Sequence, residues 1–172
     1  MKTVLITGVG RGIGKALAET FTAEGWHVLG TVEHDDELVQ TEHLETCILD
    51  LASEESIRTC VDLIRNKGIQ LSAIINNAAV LLDEDETSVV RSKLERTLTI
   101  NVIGTIDLTE GLLPLLAEGS HIVNVASSAG SLTLVGHESH HEGHYPSYKI
   151  SKGAINMYTR TLALRLSPRT TV

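Results

Sequence analysis

Tyr148-Lys149-Ile150-Ser151-Lys152 sets a phenol and an ammonium four positions apart, a spacing that on a helix brings both to one face. A free tyrosine titrates near pH ~10, too high for efficient proton exchange at neutrality. A neighbouring cation and a helix N-terminus both favour the phenolate, so such a pair is suited to general acid–base work. Tyr145 and Lys149 share the spacing, but Pro146 follows Tyr145 and favours a turn or a helix start there. Tyr148 and Lys152 are therefore the preferred pair.

A second cluster with chemical potential is Thr7-Gly8-Val9-Gly10-Arg11-Gly12-Ile13-Gly14. It lies between the short apolar run Val4–Ile6 and a segment of helical period. One glycine permits a tight turn, another lets backbone approach a pyrophosphate, and a third allows close helix–strand packing. The helix N-terminus beyond it offers free N–H groups and the positive end of a dipole to phosphates. Arg11 has the reach to meet a ribose 2′-phosphate and favours NADP(H). Glu33, near the end of the next strand, stands where an acid binds a free 2′-hydroxyl and favours NAD(H).

Positioning these groups takes alternating strands and helices, and the pattern supplies them. Strands are expected over Val4–Ile6, Trp26–Val32, Thr46–Leu49, Leu71–Asn76 and His121–Ala126. A helix over Gly12–Ala23 turns Ile13, Ala16, Leu17 and Phe21 inward. Ser53 caps a helix carrying the stripe Ile57, Val61 and Ile64. A long helix from about Ser88 to Ala117 carries Leu94, Leu98, Val102, Leu108 and Leu112, and bends near Asn101–Gly104. The last helix, about Tyr148–Leu166, faces Ile155, Tyr158, Leu162 and Leu166 inward. This alternation predicts an α/β fold: one Rossmann-type, doubly wound parallel sheet in a three-layer α/β/α sandwich spanning residues 1–172.

Composition narrows the partners. A net charge of −8 argues against a nucleic-acid groove, which needs clustered Lys and Arg. No apolar run approaches the ~20 residues that span a bilayer, and the N-terminus has no signal-peptide h-region. Cys47 and Cys60 form no ligand-spaced pair and read as half-buried thiols of a reducing compartment. The expectation is a cytoplasmic protein with no membrane or nucleic-acid partner.

Taken together, the motifs resemble the short-chain dehydrogenase/reductase family over essentially the whole chain. The glycine loop is similar to that family's Thr-Gly-x-x-x-Gly-Ile-Gly, and Asp50-Leu51 to its adenine-side acid. Asn76-Asn77-Ala78-Ala79 resembles its Asn-Asn-Ala-Gly, departing at Ala79. Asn101 falls at the bend of the long helix, and Ser127-x-x-Gly130 precedes the Tyr–Lys helix. The resemblance implies carbonyl–alcohol interconversion on a small molecule with a nicotinamide cofactor. In that reading Tyr148 exchanges a proton with the substrate oxygen, Ser127 orients that oxygen (Ser128 being the competitor), Lys152 holds the ribose, and Asn101 supports a water relay to Lys152. Gly8, Arg11, Gly12, Ile13, Gly14, Asp50, Leu51, Asn76 and Ala78 would contact the cofactor together with Tyr148 and Lys152. The family residue that often marks NAD preference aligns with Val32, not Glu33, which leaves Arg11 and tips the expectation to NADP(H). The resemblance also implies a homodimer or homotetramer, with Met157, Leu164 and Leu112 as candidate interface residues.

His137-Glu138-Ser139-His140-His141 matches the zinc-protease pattern. Flanking Gly136 and Gly143 disfavour the helix that chemistry requires, so no metal is expected. A polar loop beside the substrate is the preferred reading, one the carbonyl-reductase-like branch shares. Arg169–Val172 looks like the start of a sixth strand, so the chain reads as lacking the family's C-terminal strands and substrate segment. A non-catalytic dinucleotide-binding or regulatory module is the alternative.

Overall fold

The computed structural model describes residues 1–136 and 143–172. Five parallel strands form one sheet in the order β3-β2-β1-β4-β5: β1 (Thr3–Ile6), β2 (His27–Val32), β3 (Leu44–Ile48), β4 (Leu71–Asn76) and β5 (Leu116–Asn124). Helices α1 (Gly12–Ala23), α2 (Glu54–Asn66), α3 (Arg91–Leu98), α4 (Thr105–Leu112) and α5 (Pro146–Leu166) connect or follow them. The expected doubly wound sheet is therefore observed.

Alternation along the strands sorts the core into two layers. Val4, Ile6, Val28, Ala73 and Ile75 pack on the α1 side with Ala18, while Leu17 and Phe21 cover them. Leu5, Leu29 and Ile74 point the other way, into a cluster with Ile57, Val61 and Ile64 of α2 and Leu108 and Leu112 of α4. The α2 stripe is fully realised, and Ser53 caps it, its hydroxyl accepting from Ser56 N at 3.2 Å. The α1 stripe is only half right. Ile13 is 64% exposed because the first turn of α1 projects beyond the strand ends, where no opposing layer covers it.

The long helical stretch differs from expectation in boundaries and in kind. It starts at Arg91, not Ser88, and ends with a 3-10 turn at Leu113–Leu115. The bend is a π-turn over Thr99–Gly104. Among the described residues, Arg91–Leu115 is the one helix long and apolar enough to cross a membrane, with mean hydropathy 1.2, although no uninterrupted apolar run in the sequence reaches that length. Its apolar face already has a partner: Leu108 and Leu112 are buried against the sheet and α2, each worth roughly 1.5–3 kcal/mol.

Strand β5 begins five residues earlier than expected. Leu116 already pairs with Leu71, and a register irregularity lies between Leu71 and Ala73. Beyond α5, Thr171 pairs in parallel with His121, held by Ile122 N to Thr171 O (2.8 Å) and Thr171 N to Ser120 O (3.0 Å). The expected sixth strand thus has its first bridge.

Candidate active site

From β1 the chain winds to β2 and β3 on one side, then returns to β4 and β5 on the other. The loops after β1 and β4 therefore diverge at the carboxyl ends of adjacent strands, where open α/β sheets bind ligands. The glycine turn is held there by the post-β4 segment. Thr7 Oγ1 accepts from the backbone N–H of Asn77 and of Ala78, both at 2.9 Å. Asn77 Nδ2 donates to Thr7 O (2.9 Å) and Gly8 O (3.3 Å). Gly8 and Gly12 occupy positive φ, 73° and 57°, which glycine adopts without steric cost. A Cβ on Gly14 would overlap the Gly8 carbonyl and stand 2.6 Å from Asn77 Nδ2.

The start of α1 lacks the devices that finish α2. Its N-cap is Arg11, which makes no side-chain cap, and its first turn holds no acid. By contrast α2 has the Ser53 cap with Glu54 and Glu55 in its first turn. The first N–H groups of α1 therefore receive no side-chain acceptor from the N-cap, an arrangement suited to an anion. Arg11 itself is exposed.

Asp50 and Leu51 form the turn after β3. Asp50 Oδ1 accepts from Ala52 N at 2.7 Å, and Asp50 N donates to Ser56 Oγ at 2.9 Å. Leu51 is buried, and its carbonyl sits so close to Gly104 that no Cβ fits there; the π-turn thus locks onto this loop. Asn76 is placed differently from its neighbour. Its amide donates to Thr109 Oγ1 (2.9 Å) and Asn124 Oδ1 (2.8 Å), which ties β4 to β5 and α4. Asn124 Nδ2 extends the chain of bonds to Thr159 Oγ1 at 2.8 Å.

Of the four residues assigned to catalysis, Asn101 and Lys152 line one small cavity between α5, the π-turn and the ends of β4 and β5, together with Asn76, Asn124 and Val125. The Asn101 side chain is fully engaged: Oδ1 accepts from Val80 N (2.8 Å), and Nδ2 donates to Val80 O (2.9 Å) and Ser151 Oγ (3.2 Å). Lys152 is only 5% exposed. Its Nζ donates to Val125 O at 2.7 Å and lies 5.6 Å from the Tyr148 ring centroid. Burial lowers its pKa from 10.5, since desolvation disfavours the ammonium. Ser127 Oγ accepts from Ala129 N at 3.1 Å. The turn it opens packs directly on α5, because a Cβ on Gly130 would collide with Lys152 C (2.5 Å) and Gly153 N (2.7 Å).

The competing pair separates in space from this cluster. Tyr145 precedes α5 with φ 39°, and Pro146 opens the helix two residues earlier than expected. Lys149 lies 5.7 Å from the Tyr145 ring and donates to Gly143 O at 2.8 Å, on the loop side rather than against β5.

A sequence model of the short chain dehydrogenase family matches residues 2–172. The chain belongs to that family. Among related proteins, L-xylo-3-hexulose reductase of Hypocrea jecorina is 30% identical over 99% of this chain and 64% of its own length. The chain thus spans under two thirds of that reductase. Of solved structures, a Burkholderia cenocepacia short chain dehydrogenase in complex with NADP superposes with TM-score 0.85 at 28% identity, covering 99% of this chain and 71% of that one. The carbonyl reductase candidate Sniffer of Caenorhabditis elegans gives 0.84 at 27% identity, covering 96% and 79%.

Two features of this short chain dehydrogenase escaped the sequence reading. Asp83, in the polar loop after β4, is 1% exposed, and its Oδ2 accepts from Ser147 N at 2.5 Å, one residue before Tyr148. Glu37 closes a 3-10 turn (Asp35–Glu37) that brings its carboxylate against Gly10, with Oε1 3.0 Å from where a Cβ would stand. Neither has a local motif; only the loop paths bring them in. Glu33 is exposed just past β2. One expectation is corrected: Leu112 cannot contribute to an oligomer surface, since it is fully buried in the α2–α4 layer, whereas Met157 (66%) and Leu164 (68%) are exposed. Residues His137, Glu138, Ser139, His140 and His141 lie outside the described residues.

Proposed function

We propose that this short chain dehydrogenase is an NAD(P)-dependent oxidoreductase that interconverts a carbonyl and an alcohol on a small molecule. One observation carries the reading. The uncapped glycine turn and the buried Lys152, one helical turn from Tyr148, both stand at the carboxyl ends of the central strands. The turn fits a dinucleotide pyrophosphate, because Gly8, Gly12 and Gly14 keep side chains out of the cradle and α1 offers free N–H groups. Asp50, Leu51 and Ala78 line the approach to it; Asn76, whose amide is turned to Thr109 and Asn124, supports the floor. When bound, the cofactor supplies or accepts a hydride at the substrate carbon.

The chain's own residues handle the oxygen. Tyr148 gives its phenolic proton to the carbonyl oxygen in reduction and recovers it in oxidation. Ser127, whose Oγ already accepts from Ala129 N, keeps its O–H to donate to that oxygen. Lys152 holds the ribose with donors not used by Val125 O and adds positive potential beside the phenol. Asn101 orders the cavity it shares with Lys152, the route for replenishing the proton through water. Arg11, exposed and without an ion pair among the described residues, supports NADP(H) over NAD(H), as does the NADP complex of the Burkholderia relative. Met157 and Leu164 support a homodimer or homotetramer, in the cytoplasm.

The test is NADPH and NADH consumption with a panel of aldehydes and ketones. Tyr148→Phe should lower kcat by about 10²–10⁴-fold with cofactor affinity retained. A variant as active as the parent would move proton transfer elsewhere. Cofactor binding without turnover of any substrate would favour the non-catalytic module.

A further inference from the structure

Cys47 and Cys60 share no sequence motif, yet the fold brings them together. Cys47 lies on β3, the edge strand of the sheet, and Cys60 on the inward face of α2. Their Sγ atoms are 3.6 Å apart and share a hydrogen bond; both thiols are free. A disulfide requires an S–S distance of about 2.05 Å, so the two sulfurs have roughly 1.5 Å to close.

We propose that Cys47 and Cys60 form an oxidation site that closes reversibly to an intramolecular disulfide, pinning the edge strand β3 to α2. The two sulfurs have distinct roles. Cys47 is half-buried at the sheet edge, so it is the one a small oxidant reaches; Cys60 is buried beneath it. The hydrogen bond from Cys60 holds the Cys47 thiol below its usual value, an effect that Lys67 reinforces and that outweighs burial and Glu45. The same bond, then burial, pushes Cys60 up. Cys47 is accordingly the attacking thiolate and Cys60 the resolving thiol.

With hydrogen peroxide as oxidant the step balances. The Cys47 thiolate attacks one peroxide oxygen, the O–O bond breaks, and the departing hydroxide takes a proton to leave as water. The Cys60 sulfur then attacks the Cys47 sulfenic acid. The S–O bond breaks, and hydroxide leaves as a second water with the Cys60 proton. Two thiols and one peroxide become one disulfide and two waters. A dithiol reductant reverses the reaction by exchange.

The site is independent of the cofactor reading, and its test needs no turnover. The reduced protein is treated briefly with hydrogen peroxide, alkylated and digested with trypsin, which cuts after Arg58 and leaves the two cysteines in separate peptides. The expected product is monomeric on a non-reducing gel, two hydrogens lighter, with those peptides linked until dithiothreitol is added. Its Tm should exceed that of the reduced form by about 5–10 °C, because closing a short loop restricts the unfolded chain. Cys60→Ser should trap a dimedone-reactive sulfenic acid at Cys47, while Cys47→Ser should leave Cys60 unoxidised. The proposal is overturned by unlinked peptides, by Cys47 advancing to sulfinic acid in the parent, or by linkage only between two chains.

Discussion

Replacing Asp83 with alanine tests how the Tyr148 helix is started. Its N-cap, Tyr145, provides no side-chain acceptor, and a carboxylate from 64 residues away serves instead. A hydrogen bond to a charged group contributes about 1.5–3 kcal/mol, and a carboxylate at a helix N-terminus adds roughly 0.3–1 kcal/mol. Against this stands the desolvation of Oδ1, which is buried without a hydrogen-bond partner. The net loss in Asp83→Ala should be about 2–3 kcal/mol, or a fall in Tm of roughly 4–12 °C for a chain of this size. Urea unfolding followed by circular dichroism measures it, with the single tryptophan, Trp26, as a second probe. Asp83→Asn keeps an acceptor and loses the charge, so it should cost less than half as much. Ser147→Ala is the control: its Oγ is buried and unpartnered, and its removal should change stability by under ~1 kcal/mol. An Asp83→Ala variant within about 0.5 kcal/mol of the parent would refute the long-range cap. Equal losses in the Asn and Ala variants would show that charge alone matters.

Gly14→Ala should lower NADPH affinity at least tenfold and destabilise the fold by about 1–3 kcal/mol, since its Cβ overlaps the Gly8 carbonyl; fluorescence titration with unchanged affinity would contradict the cradle. Arg11→Ala should weaken NADPH by roughly 10–100-fold, the equivalent of a charge-assisted hydrogen bond, and NADH far less; equal losses would remove the case for NADP(H). Lys152 has a folded pKa below the unfolded 10.5, so near that range the unfolded chain binds more protons and stability rises with pH until 10.5. Lys152→Met should abolish that rise in urea midpoints. Tyr158 is pushed up from 10.0 by burial and by Glu110, to which it donates at 3.1 Å. Its contribution is complete below pH 10 and lost above it, and Tyr158→Phe should remove that alkaline loss.

Much of the site was legible because its signals are short-range. The glycine turn, the Ser53 cap and the Tyr148–Lys152 spacing each lie within one turn or loop, where backbone geometry follows from the residues themselves. Element order was legible for the same reason, with β4 and α1 matching residue for residue, while β5 runs Leu116–Asn124 where His121–Ala126 was expected. Faces and partners were decided by tertiary structure. Ile13 meets every local criterion for an inward residue yet has no layer opposite it, and Leu112 is enclosed because α2 packs over it. Lys152 is set apart from Lys149 by Val125 O, a carbonyl just past the end of β5. Asp83, Glu37 and the Cys47–Cys60 contact arise where crossover connections return distant segments to one place, and no spacing in the chain encodes those distances. The amino-acid sequence thus determined which groups could do chemistry and the elements that carry them. Only the packed sheet decided which groups meet, because burial and hydrogen-bond closure act between segments that are neighbours in space alone.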